Sequence, residues 1–216
     1  MRTLILTAAV LTLCACSQED VETANFGSDY YKAEYQLSNA TSLELDFYMA
    51  NAELNGDKRP PYQDKYKVAH LAQRQDSTLI SHEHNSGRQV SFYVHAPYDD
   101  KSSYSQTYKV KRKHRYHWLA WMSGEALAHS LIEQRTSNQP GVIRIRLFAT
   151  AASLEARQQA QTIRLQLGTV SDYLSVTQCD GGLRVNEQAI DLCDASFGYS
   201  YLLVVGSNGR IALIPQ

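Results

Sequence analysis

A chain of 216 residues of which 44% are hydrophobic has enough apolar side chains for a packed core, which excludes a globally disordered protein. Its 21 Lys and Arg nearly balance 22 Asp and Glu, for a formal net charge of −1. Such a chain is not built as a whole to coat nucleic acid or an anionic membrane, so any polyanion contact has to come from a local patch.

The first element is an export signal. Met1 and Arg2 give a short positive start, and residues 4–13 form an apolar run of ten. Spanning a bilayer as a helix takes about 20 residues, so this run is too short to cross but suits the core of a signal peptide. The run ends in Leu13-Cys14-Ala15-Cys16, which resembles the bacterial lipobox, with Leu three before the modified Cys and a small residue one before it. Cys14 fits less well, because Leu13 would stand where a small side chain belongs. The resemblance covers residues 1–16. It implies cleavage after Ala15, a diacylglyceryl group on the Cys16 sulfur and an acyl chain on its new amino group. Several chains hold where one is marginal, since each buried methylene contributes about 0.8 kcal/mol. Ser17 stands where inner-membrane lipoproteins of enterobacteria commonly carry Asp, which implies the outer membrane, with the domain facing the periplasm. Loss of residues 1–15 removes Arg2 and leaves 20 Lys and Arg against 22 Asp and Glu, a net charge of −2. Residues 16–27 then form the acylated terminus and a polar, acidic tether of at most about 36 Å. Residues 28–216 are expected to make a single β-rich globular domain.

Period-two alternation dominates that domain. Leu43, Leu45, Phe47 and Met49 alternate with Glu44, Asp46 and Tyr48, the pattern of a half-buried strand. Residues 65–73 suggest another. Residues 79–84 and 89–96 flank Asn85-Ser86-Gly87-Arg88 and predict a hairpin. Residues 104–121 alternate at length, as one bent strand or two short ones. A helix is predicted next, with Ser123 as cap, Glu125 in the first turn and Leu127, Leu131 and Ile132 on one face. Ile143, Ile145 and Leu147 begin a strand, as do Ile163, Leu165 and Leu167; residues 153–161 between them fit either a helix or the far end of a long hairpin. The last fifty residues read as a β-meander, closing on a hairpin around Ser207-Asn208-Gly209. No repeat at a fixed period is visible. The expected fold is α+β and β-rich, mainly an antiparallel sandwich or partly open barrel with one or two short helices. The 14 tyrosines, against five Phe and two Trp, suit half-buried strand faces and binding surfaces.

Cys179 and Cys193 are the thiols left unmodified after processing, and an even pair in an exported domain is expected to form a disulfide. Its closed loop of 15 residues corresponds to about 3 kcal/mol of chain entropy. His82 and His84 share one strand face, but the predicted hairpin sets His95 about 13 Å from His82, too far for one ion, so a metal site would need a ligand from elsewhere, such as His70. Metal and cofactor are therefore not expected. Lys109, Lys111, Lys113 and Arg115 alternate along one predicted strand, cations spaced about 7 Å apart. They read first as a solvated face that discourages edge pairing, and second as a contact for an anionic polymer or acidic partner. The chain shows no nucleophile elbow, zinc-protease motif, P-loop or dinucleotide fingerprint, so no enzyme is expected.

Two functions fit these residues. One is a non-enzymatic accessory or scaffolding lipoprotein of an envelope complex for secretion, pilus assembly or transport, offering a β edge or Tyr-rich face to a protein partner. The other is a binding or protective lipoprotein that captures a polysaccharide or neutralises a periplasmic toxin or hydrolase. In both the membrane is reached through the lipid, and neither nucleic acid nor a small molecule is the expected ligand.

Overall fold

The computed structural model describes residues 31–53, 55, 57–73, 77–85, 89–99, 102–159 and 161–216. The lipobox, Cys16, the tether and the Ser86–Gly87 turn centre lie outside the described residues. The first eight strands are β1 (Tyr31–Asn39), β2 (Leu45–Asn51), β3 (Lys67–Leu71), β4 (Thr78–His84), β5 (Gln89–His95), β6 (Ser103–Lys109), β7 (Tyr116–Ser123) and β8 (Ala126–Glu133). The next eight are β9 (Ile143–Ala149), β10 (Leu154–Gln158), β11 (Gln161–Leu165), β12 (Leu174–Val176), β13 (Arg184–Val185), β14 (Gln188–Ala189), β15 (Ser200–Gly206) and β16 (Gly209–Pro215).

These strands form four sheets, ordered β4-β1-β7-β8, β3-β2-β5-β6, β12-β9-β15-β16 and β11-β10-β13-β14. The third order is the first advanced by eight strands, and the fourth is the second advanced by eight. Directions repeat too: β1 runs parallel to β7 and β9 parallel to β15, while the other pairs are antiparallel. One eight-stranded sandwich topology therefore occurs twice in tandem. None of the sheets closes on itself, so the sandwich describes the molecule and the barrel does not.

Three apolar clusters set the layers. Tyr35, Phe47, Phe92 and Trp118 fill the first, between β3-β2-β5-β6 and β4-β1-β7-β8. Ile145, Leu147, Leu183 and Leu203 fill the second, between the two sheets of the second half. The third joins Leu119, Trp121 and Ile132 of the first half to Phe148, Leu202, Val204 and Ile214 of the second. The two inner sheets are thus buried on both faces.

That double burial explains the helix that does not form. Residues 126–133 are the strand β8, in which Leu127 and Leu131 face the first cluster while Ile132 faces the third. A strand buried on both faces loses its alternation, and Leu127 and Leu131, four apart, satisfy period two as well as a helix. Ser123 caps nothing; it pairs with Ala126 across a two-residue hairpin loop opened by Gly124 at φ +65°. Residues 154–158 are β10, hairpinned to β11, and the one helical element among the described residues is a 3₁₀ turn, Asp64–Tyr66.

Three further expectations change. Residues 79–84 and 89–96 hold two strands, but β4 joins β1 in one sheet and β5 joins β2 and β6 in the other, so they form no hairpin. The closing segment is no meander, because β12 pairs with β9 while β13 and β14 belong to the facing sheet. β1 adds a strand ahead of the first one expected, with Ala33, Tyr35 and Leu37 inward. The expected disulfide is present: Cys179 and Cys193 are bonded, with Cα atoms 4.7 Å apart.

Candidate partner-binding face

Sheet pleating decides which side chains of β2 and β5 reach solvent. Leu45, Phe47 and Met49 of β2 and Val90, Phe92 and Val94 of β5 enter the first core, which turns Asp46 and Tyr48, and Ser91, Tyr93 and His95, to the opposite face. Register sets Tyr48 beside Tyr93 and Asp46 beside His95. The segment after Pro60 and Pro61 then lays Tyr62 over them. Its ring centroid lies 5.3 Å from Tyr48, 5.0 Å from Tyr93 and 5.1 Å from His95, and the Tyr93 and His95 rings stack at 11°. Tyr62 is 54% exposed while Tyr48 beneath it is 4% exposed. Three rings thus occupy the outward phase of an outer sheet, where alternation ordinarily puts polar side chains, and Tyr62 covers them.

The base of this platform is charged and paired. Asp46 accepts hydrogen bonds from Lys67 Nζ at 2.8 Å and His70 Nδ1 at 2.7 Å. Burial pushes the Asp46 carboxyl up, but these two donors outweigh it and hold it below the usual range. Burial, then the nearby Asp46 carboxylate, pushes the Tyr48 phenol up to about 12. Tyr48 is therefore a neutral ring at physiological pH. Beside the rings run the hydroxyls of Ser91, Ser103, Ser105 and Thr107, with Ser91 Oγ 3.1 Å from Thr107 Oγ1. Rings and hydroxyls suit stacking, packing and neutral hydrogen bonding.

The four basic residues do not form a strand face. Lys109 ends β6, Val110 is buried, and residues 111–115 make the passage to β7 in the other sheet, with Lys113 at φ +63°. Lys111 Nζ lies 3.1 Å from Glu133 and Arg115 Nε 2.8 Å from Glu34, while Lys109 and Lys113 have no ion pair among the described residues. Burial raises the Glu133 carboxyl, but Lys111 and His114 outweigh it and hold the group low.

The four histidines weighed as metal ligands separate into two places. His84 is fully buried; Tyr35 donates to its Nε2 at 2.6 Å, and its Nδ1–H donates to Asn51 Oδ1 at 3.2 Å. His82 Nε2–H shares that acceptor at 3.2 Å. Burial, then His82, pushes His84 down to about 3, so it is a neutral member of the core network. His70 and His95 sit on the outer sheet, on either side of Asp46. Among the described residues, no three His, Cys, Asp or Glu side chains gather as a metal site.

The fold and this face define a class: a tandem β-sandwich with an aromatic platform on its first outer sheet. No known protein-family model matches the chain, and no curated protein does either. Tyr48 was legible as an outward residue from its place between Phe47 and Met49. Tyr62 was not, because an irregular segment brings it to the sheet.

Proposed function

We propose that this protein is an outer-membrane lipoprotein, acylated on Cys16 and facing the periplasm, that acts as a non-enzymatic accessory or scaffold of an envelope assembly. Its docking surface is the Tyr48–Tyr62–Tyr93–His95 platform. The observation that carries this reading is the half-exposed Tyr62 in edge-on and tilted contact with three further rings on a solvent-facing sheet. Tyr supplies large contact area at low conformational cost and is enriched at the centre of protein interfaces. The Leu13-Cys14-Ala15-Cys16 motif supports the anchor.

The hydroxyl row beside the rings favours a second reading, capture of a polysaccharide by stacking and hydrogen bonding. Affinity purification from crosslinked envelopes, with wild type and Tyr62→Ala, separates the two. One defined protein lost in Tyr62→Ala supports docking; Tyr62-dependent retention of peptidoglycan or lipopolysaccharide instead supports the second reading. Cys16→Ala with a fatty-acid analogue tests the anchor: label retained in the variant, or missing from wild type, overturns it.

A further inference from the structure

An edge strand leaves half of its backbone groups unpaired, and folds treat such edges differently. At the β8 edge, Gln134 N–H donates to Arg115 O, so the even-numbered residues bond to β7 and the odd ones face away. Two of those outward carbonyls are covered. The Tyr108 hydroxyl donates to His129 O at 3.3 Å, and Arg146 donates to Glu133 O at 2.9 Å. β16 is blunted differently, by an irregularity in its register and by Pro215.

The edge of β6 carries no such device. Ala96 N–H donates to Ser102 O at 2.9 Å, which fixes the even-numbered residues of this strand toward β5. The N–H and C=O groups of Ser103, Ser105 and Thr107 therefore point outward, and none has a hydrogen-bond partner among the described residues. Grooves flank this edge on both faces. On the outer face a groove of about 500 Å³ is lined by Ser105 and Thr107 and by Lys58, Arg59, Pro60 and Pro61. On the inner face a groove of about 530 Å³ is lined by the rings of Tyr104, Tyr108 and Trp121 and by Leu131, and also by the polar side chains of Gln106, His129, Glu133 and Arg146. The outer groove is cationic: Lys58 is exposed, Arg59 is answered by Glu53 at 3.0 Å, and Lys109 follows Thr107 on the same face.

We propose that β6 accepts an extended peptide segment of a partner protein as a fifth strand of the β3-β2-β5-β6 sheet, with acidic and apolar side chains in alternation. Main-chain bonds to Ser103, Ser105 and Thr107 hold the segment, as in strand addition generally. Its acidic side chains lie toward Lys58 and Lys109, and its apolar ones enter the groove floored by Tyr104 and Tyr108. A second copy of the chain is a poorer occupant, because Ser103–Lys109 carries no acidic side chain and so offers no alternation of acidic and apolar residues. The inference rests on the reading that a protein docks on this sheet.

The test uses an end-blocked octapeptide alternating Glu and Val, and a control alternating Lys and Val. The Glu–Val probe should slow amide exchange at Ser105 and Thr107 by at least about tenfold, as expected for newly protected edge amides, and the Lys–Val probe should not. Ser105→Pro removes an outward N–H without touching the β5 ladder, so it should abolish binding and leave the melting temperature close to wild type, while Ser105→Ala should bind normally. Lys109→Glu should weaken the Glu–Val probe and strengthen the Lys–Val probe, a reversal that stands even if Ser105→Pro unfolds. Unchanged exchange, equal binding of both probes, binding that survives Ser105→Pro in a folded variant, or dimerisation through β6 would overturn the proposal. An envelope partner lost in Tyr62→Ala but kept in Ser105→Pro would leave the docking face standing and remove the strand addition.

Discussion

The two outer sheets share a strand order yet are held by different means. In the first half, β5 and β6 pair over seven residues, and the wide sheet they complete carries the ring platform and the open edge. In the second half, their counterparts β13 and β14 have two residues each, and the Cys179–Cys193 bond ties the loop after β12 to the loop after β14. The disulfide supplies what a short ladder cannot. The titratable core divides the same way: all seven histidines of the chain lie in the first half, and the described disulfide lies in the second. A long ladder presents a wide outer face, whereas a stapled one mainly encloses a core.

The difference can be broken most strongly at the staple. Replacing Cys179 and Cys193 together by Ser should cost about 3 kcal/mol in chemical denaturation, the chain-entropy value for a loop of this length. Hydrogen exchange should quicken in residues 183–192 and stay slow in β5. Equal loss of protection in both halves would show that they depend on one another for folding.

Acid should act on the other half. Burial pushes His84 down to about 3 and His129 to about 4; burial, then Arg146, pushes His117 to about 4. Each folded value lies below the ordinary 6.5, so between those values the unfolded chain binds more protons. Stability present above pH 6.5 is then lost as pH falls toward 4. Melting curves between pH 7 and 4 should show that decline, with β7 losing exchange protection before β9. His129→Gln, which keeps a donor for Phe92 O, should flatten part of it; a pH-independent melting temperature would contradict the assignment.

The smallest effect concerns the β13–β14 loop, where Asn186 and Glu187 stand at φ +47° and +65°. Two-residue hairpin loops need such angles, and Glu adopts them at a cost. Glu187→Gly should raise stability by about 0.5 kcal/mol, read as a shift in denaturation midpoint. Glu187→Ala, which loses the same ion pair to Arg157 but keeps the angle, should lie below Glu187→Gly; equal midpoints would mean that the angle is not strained.

Legibility in the sequence followed burial. β2, β5, β9 and β15 announced themselves because apolar residues alternate in them or run together between clear turns. β8 did not, because its two buried faces imitate a helix. The alternation through residues 111–115 imitates a strand because Lys113 adopts a positive φ without a Gly or Asn to mark the turn. The doubled strand order was hidden because strands of seven and two residues occupy equivalent places, so no fixed period survives. For the binding face, Tyr48 and Tyr93 were readable as outward residues, but their meeting with Tyr62 depends on register and on an irregular segment.

We propose that partner binding belongs to the first outer sheet and not to its counterpart. Photo-crosslinking tests it most directly, with a crosslinking residue placed in cells at position 62 or at position 164, where Arg164 lies exposed opposite Glu155 on the second outer sheet. A discrete crosslinked species from position 62 and none from position 164 is the expected result. Crosslinks from position 164 alone, or from neither position, would contradict it.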